Sequence, residues 1–264
     1  MISSIGLVVN DNKSKAIDAG LSLKAEFIRR GIIVRMGEEL KDAKVDLFVI
    51  LGGDGTVLEA FNQYSKLQSP FLCVNFGTVG FLTAVEIADL YHYLPQIVNG
   101  IFQVQERPVM EVTITVNYHD HIRHYSLNDV VIRSGHLHVS RQLLRIDGRD
   151  VCQYAGDGLI VATPTGSTGY SLSAGGSIVE PVLEVFIINP LIASKKTLSP
   201  LIIGMNHKLE IVLQDRKGKL YIDGRELSLL KDSRSILISS TDLKAKFIVL
   251  DQERYFDLLH QRCT

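Results

Sequence analysis

Val45-Asp46-Leu47-Phe48-Val49-Ile50-Leu51-Gly52-Gly53-Asp54-Gly55-Thr56-Val57-Leu58 is the stretch whose reading decides the fold. The apolar run from Val45 to Leu51 reads as a buried strand. Val57, Leu58, Phe61 and Tyr64 then recur at the spacing of one helix face. Between the two, one carboxylate, Asp54, sits among Gly52, Gly53 and Gly55. Glycine lets a backbone turn sharply and approach a ligand closely. A helix N-terminus adds free N–H groups and partial positive charge, which suit phosphate. Asp54 is therefore an acid beside a candidate phosphate site, where a phosphoryl-transfer enzyme needs a group to orient or deprotonate a hydroxyl. An ordinary strand-to-helix turn with Asp54 as its cap is the alternative. The pattern is neither a Walker loop nor Gly-x-Gly-x-x-Gly.

Working outward, Ile5 to Val9 reads as a strand ending in the turn Asn10-Asp11-Asn12. Lys15 to Arg30 has helical spacing and closes at Gly31. Ile32 to Arg35 and Phe71 to Phe76 read as strands, and Glu86 to Val98 as a helix stopped by Asn99-Gly100. This alternation predicts an α/β domain with a largely parallel sheet. Near residue 100 the character changes to short β-branched runs. Val109 to Val116, Tyr125 to Ile132, Leu143 to Ile146, Leu159 to Ala162, Leu209 to Leu213, Lys219 to Ile222 and Ser235 to Ile238 read as strands. Asp147-Gly148, Asp215-Arg216-Lys217-Gly218 and Asp223-Gly224 read as turns. The division is therefore 1–100 as an α/β domain, 101–250 as a mainly β domain, and 251–264 as a tail returning to the first. With no Gly/Ser or Pro linker, a tight interface with a ligand cleft between the domains is expected.

The 264 residues suffice for two domains, and a formal charge of −1 offers no strong positive field for nucleic acid or an anionic membrane. Cys73, Cys152 and Cys263 are odd in number and far apart, which argues against a disulfide framework or structural zinc and for a reducing, cytoplasmic setting. No apolar run reaches the ~18 residues that span a bilayer.

The densest second signal is Gly156-Asp157-Gly158-Leu159-Ile160-Val161-Ala162-Thr163-Pro164-Thr165-Gly166-Ser167-Thr168-Gly169-Tyr170-Ser171-Leu172-Ser173-Ala174-Gly175-Gly176. An apolar strand runs into small and hydroxylated residues around one tyrosine. Small residues let backbone amides reach a ligand, hydroxyls donate and accept, and Tyr170 offers a ring face with a polar end. A helix beginning near Ser167 is expected to aim N–H groups at an anion.

Together with Gly52 to Thr56, Asn128-Asp129, Asn75-Phe76-Gly77 through Gly80-Phe81-Leu82, and Tyr221-Ile222-Asp223-Gly224, this stretch resembles the NAD kinase family over nearly the whole chain. The resemblance implies phosphorylation of the 2′-hydroxyl of the adenosine ribose of NAD to give NADP, with ATP, or in some members polyphosphate, as donor. It implies an N-terminal Rossmann-like α/β domain, a C-terminal β-sandwich-like domain, an active site in the cleft, and a homodimer or homotetramer. By resemblance Asp54 is the proton acceptor, and Gly52, Gly53, Gly55, Thr56 and Asp223 lie by phosphate or metal. Asp54, Gly55 and Phe81 line the NAD site. Asn128 and Asp129 hold the adenosine end, and Asp157 reaches NAD across a subunit contact. Thr168, Gly169, Tyr170, Ser171, Leu172 and Ser173 wrap the rings. Gly169 stands where alanine is usual, Ala155 where many members have arginine, and Leu191 to Lys196 lacks a Pro-His pair.

Phosphoryl charge calls for Mg²⁺ as a clamp, and with no Asp/Glu cluster dedicated to metal in the sequence it is expected to bridge mainly through nucleotide phosphates. His119, His121, His124, His136 and His138 read as hairpin surface rather than a metal site, and Cys152 as inert. A diacylglycerol-type lipid kinase, which shares only Gly52 to Thr56, and a silent dinucleotide sensor are the competing functions.

Overall fold

The computed structural model describes all residues except 42, 77–79, 117–119, 135–138, 194–198, 215–217, 228–232, 252 and 264. The chain forms two compact units, Met1–Glu106 with Ala245–Thr264, and Arg107–Lys244. His119, His136, His138, Gly77, Ser194 to Lys196 and the turn residues Asp215 to Lys217 lie outside the described residues.

The first unit opens with β1 (Ser4–Val9), α1 (Ser14–Arg29) and β2 (Ile33–Met36). It continues through β3 (Leu47–Gly52), α2 (Asp54–Tyr64), β4 (Phe71–Asn75), the short β5 (Val85–Glu86) and α3 (Ile87–Val98). β2, β1, β3 and β4 pair in that order, all parallel. Every residue of β3 is buried, which explains its unbroken apolar run. Its alternate side chains serve two layers. Leu47, Val49 and Leu51 share a core with Leu23 and Phe27 of α1 and Leu90 and Leu94 of α3. Phe48 turns the other way and stacks on Tyr64 of α2, ring centroids 4.9 Å apart.

The second unit carries β6 (Gln103–Val116) from Arg107 on, β7 (Asp120–Ser126), β8 (Asp129–Ser134), β9 (Ser140–Ile146) and β10 (Arg149–Ala162). After the four-residue α4 (Tyr170–Ser173) come β11 (Val185–Ala193), β12 (Leu201–Gly204), β13 (Leu209–Leu213), β14 (Gly218–Ile222), β15 (Arg225–Leu227) and, as far as Lys244, β16 (Ser233–Val249). The helix α5 (Arg254–Cys263) follows, in the first unit. The pairings among β8, β9, β10, β11, β13 and β14 are antiparallel. Their inward residues, among them Val130, Leu144, Leu159, Phe186, Ile211 and Leu220, form one core. The fold class is α/β plus a sheet-rich, β-sandwich-like unit.

Three sequence expectations need correction. Tyr125 to Ile132 is not one strand, because the chain breaks at Leu127-Asn128 between β7 and β8. β10 and β16 run far beyond the Leu159 and Ser235 segments expected: pairing with β9 holds the polar start of β10 extended, and β16 runs on through Leu243 and Ala245 to pair with β4 at Phe247. The helix expected from Ser167 is instead a 3₁₀ turn, Thr165–Thr168, followed by only one helical turn.

Candidate active site

In the first unit, β1 leads through α1 to β2, while β3 leads through α2 to β4 on the opposite side. The order therefore reverses between β1 and β3, and open α/β sheets bind ligands beyond the strand ends at such a point. A groove of about 880 Å³ occurs there, lined by Asn10, Lys13, Gly53, Gly55, Thr56 and Tyr64 among others. The Asn10 N–H bonds Leu51 O at 3.1 Å, which ties the two strand ends together. The Asn10 Nδ2 group donates to Thr56 Oγ1 at 2.9 Å. Lys13 Nζ reaches Phe76 O at 2.7 Å. Asn10 was read in the sequence only as part of the turn after the first strand, and Lys13, at the N-cap of α1, went unremarked.

Asp54 is the first residue of α2. Its Oδ2 accepts the Phe81 N–H and its Oδ1 the Leu82 N–H, each at 3.2 Å. The carboxylate lies against Gly80: a Cβ there would fall 2.0 Å from Oδ1. Asp54 is thus held from outside its own helix, by a turn 27 and 28 residues downstream. Simple helix capping does not describe it.

In the second unit, three turns converge. The Asp223 carboxylate accepts from Ser126 Oγ (2.8 Å) and from the backbone N–H groups of Leu127 (3.0 Å), Asn128 (2.8 Å) and Asp129 (3.2 Å). These bonds make the break between β7 and β8. Asp223, expected near the diphosphate or metal, thus has its oxygens filled by four protein donors. The Thr163 hydroxyl donates to Leu127 O, and the Thr163 N–H to Asn128 O at 2.9 Å. Gly166 is forced by close approach, since a Cβ there would lie 2.1 Å from Asn128 O. Gly169 is not: a Cβ would find Gly166 O at 3.3 Å, Asn128 Nδ2 at 3.7 Å and Asp129 Oδ2 at 3.9 Å. Asn128, Asp129 and Gly169 are therefore neighbours.

Burial and the adjacent Asp223 charge push the Asp129 carboxyl up to about 7. Burial also raises Asp223. Four donors aimed at Asp223 are satisfied only by an acceptor on each oxygen, so the proton of the pair belongs on Asp129. At neutral pH Asp129 is poised between donor and acceptor.

The other expected residues divide by exposure. Tyr170 is 39% exposed, Ser173 is exposed, and Thr168 and Leu172 are half-buried. Asp157 sits half-buried in β10. Ser171 is fully buried, its carbonyl bonded by Asn189 Nδ2 at 2.9 Å. Ser167 points inward, trading bonds with Val179 backbone N–H and C=O. Asn128 Oδ1, Thr165 Oγ1 and Ser171 Oγ are buried with no hydrogen-bond partner among the described residues. Cys152 is held above its ordinary value by burial, which fits an inert thiol. Among the described residues, no three His, Cys, Asp or Glu side chains gather as a metal cluster.

A parallel unit with a carboxylate at its switch point and a β unit with a polar, glycine-bearing turn cluster define a phosphotransferase that handles nucleotides. Residues 22–102 match the model of the ATP-NAD kinase N-terminal domain, and residues 127–250 that of the ATP-NAD kinase C-terminal domain. The NAD kinase of Heliobacterium modesticaldum is 30% identical over 276 residues, covering 98% of each chain. An NAD kinase from Archaeoglobus fulgidus, solved in complex with ATP, is 26% identical with a TM-score of 0.79, over 99% of this chain and 98% of that one. Yeast NADH kinase, complexed with NADH, shares the fold at a TM-score of 0.92 and 21% identity, over 98% of this chain and 87% of that one. The chain belongs to the NAD kinase family. Its activity is ATP-dependent phosphorylation of NAD to NADP, and neither the lipid-kinase nor the sensor reading finds support among these relatives.

Proposed function

We propose that the γ-phosphoryl group of ATP is moved onto the 2′-hydroxyl of the adenosine ribose of NAD, with Asp54 taking the hydroxyl proton. The O–H bond breaks toward the Asp54 carboxylate and a ribose O–P bond forms. The P–O bond to the β-phosphate breaks, its electron pair leaving on ADP. The observation that carries this reading is the mounting of Asp54: two backbone N–H groups fix a carboxylate whose neighbours Gly53 and Gly55 line the switch-point groove.

In that groove the ATP phosphates take the N–H groups of the α2 N-terminus, the Thr56 hydroxyl and the charge of Lys13. Mg²⁺ suits the oxygen donors of the lining, Asp11, Glu59 and Thr56. Bound with ATP, Mg²⁺ would neutralise phosphoryl charge. The turn cluster of the second unit takes the dinucleotide, with Asn128 and Asp129 on polar edges and Tyr170 against a ring. The unpartnered Asn128 Oδ1 and Ser171 Oγ support this, because buried polar atoms seldom stay unpaired. Thr168, Leu172 and Ser173 complete the contact, and Asp223 positions Asn128 and Asp129 rather than touching phosphate. A homo-oligomer in a reducing cytoplasm is proposed as well, with Asp157 serving a neighbouring subunit's dinucleotide.

The test couples ATP, Mg²⁺ and NAD to an NADP-specific dehydrogenase. Asp54→Asn is expected to hold NAD binding within about tenfold while turnover drops on the order of 10²-fold or more. Full turnover in that variant removes Asp54 from the proton-accepting role.

A further inference from the structure

We propose that α5, the last helix of the chain, is a brace that positions Asp54, with Arg254 as its key side chain. The chain of contacts is short. Asp54 is oriented by the N–H groups of Phe81 and Leu82. At 3.2 Å both bonds sit at the long end of the N–H···O range, so a small shift of the turn loses them. The turn's own shape is set by Thr83, a buried residue whose hydroxyl donates to Gly80 O at 3.1 Å. Thr83 O in turn accepts the Arg254 Nε–H at 3.0 Å, across 171 residues of sequence. Next to it, the Tyr255 ring packs on Phe81 with centroids 6.1 Å apart and planes at 59°.

Each residue from 80 to 83 is thus either bonded to Asp54 or tied to α5, directly or through Thr83. On the far side the turn is fixed to the sheet, where the Ala84 N–H bonds Cys73 O at 2.7 Å. Helix α5 adds further support. Just before it, Asp251 Oδ1 accepts the Glu253 N–H at 3.0 Å. Arg254 and Tyr255 together meet the Phe81–Thr83 segment. Arg254 meets Thr83 and not Asp54, so it is a positioning residue.

The brace rests on the proposed role of Asp54, and the experiment separates the two. Arg254→Ala is expected to lower kcat about tenfold with KM for NAD and ATP within about twofold, because misplacing a catalytic group by a fraction of an ångström costs turnover rather than binding. Arg254→Lys, which keeps a donor within reach of Thr83 O, is expected to stay within about threefold of wild type. Arg254→Met, which keeps the length of the side chain without a donor for Thr83 O, gives the same signature as Arg254→Ala and replaces it if that variant does not fold. In an Asp54→Asn background the Arg254→Ala loss disappears to within about twofold, since the group it positions is already disabled. A folded Arg254→Ala enzyme with wild-type kcat, a loss confined to KM, or a loss that multiplies with Asp54→Asn overturns the brace. If Asp54→Asn itself keeps full turnover, the catalytic reading of Asp54 fails instead.

Discussion

Replacing Gly80 with alanine probes the mounting of Asp54 with one methyl group. The added Cβ would lie 2.0 Å from Asp54 Oδ1, 2.5 Å from its Cγ and 2.7 Å from its Oδ2. An unstrained contact needs about 3.5 Å, so the carboxylate or the turn has to retreat by about 1.5 Å. Either movement breaks the 3.2 Å bonds from Phe81 and Leu82. A displacement of about 1 Å in a reacting group is worth on the order of 10²-fold in rate. Gly80→Ala is therefore expected to cut kcat about 10²-fold. The dinucleotide contacts proposed for Asn128 and Tyr170 are untouched, so NAD affinity by calorimetry should stay within about threefold. The coupled NADP assay and a thermal melt on the same preparation supply the readouts. A folded Gly80→Ala protein with wild-type kcat refutes the reasoning, as does one whose defect lies wholly in NAD binding.

The turn cluster makes a paired prediction. Gly166→Ala would push a methyl to 2.1 Å from Asn128 O and force the Asn128 and Gly166 turns apart, so it should weaken NAD binding at least tenfold, on the order of the cost of one lost buried contact. Gly169→Ala meets nothing closer than 3.3 Å and should leave affinity within about threefold; equal behaviour of the two variants in calorimetric titration would contradict the geometry. Asp129 makes a prediction about pH. Its folded pKa of about 7 lies above the ordinary 3.8, so between those values the folded chain holds a proton that the unfolded chain has released. That contribution to stability is complete below about pH 4 and is lost as pH rises through about 7, up to a ceiling near 4 kcal/mol at 1.36 kcal/mol per pH unit. Asp129→Asn has no such proton to lose, so in urea unfolding its stability relative to wild type should rise from pH 5 to pH 8 by on the order of 1–4 kcal/mol. A pH-independent difference would show that Asp129 ionises normally.

The sequence by itself determined the parallel unit and its acid. β3 is readable because burial on both faces leaves an uninterrupted apolar run, and its closing glycine, Gly52, because a Cβ there would fall 2.3 Å from Thr56 Oγ1. Asp54 was likewise visible as a carboxylate set among glycines at a strand end, whereas Asn128 and Asp129, inside an expected strand, were marked only by the family resemblance. The supports of those residues were not. Gly80 against Asp54, Arg254 on Thr83, and Asp223 filled by four donors from residues 126 to 129 join segments far apart in sequence. No local periodicity records such partners. The long polar start of β10 escaped for the same reason, since its antiparallel partner β9, not the strand's own pattern, holds it extended. Sequence marks a residue by the space and polarity it needs beside its neighbours. Which distant donor or packing partner fixes its direction is set only when the chain has closed on itself, and for Asp54 that direction is what a proton transfer requires.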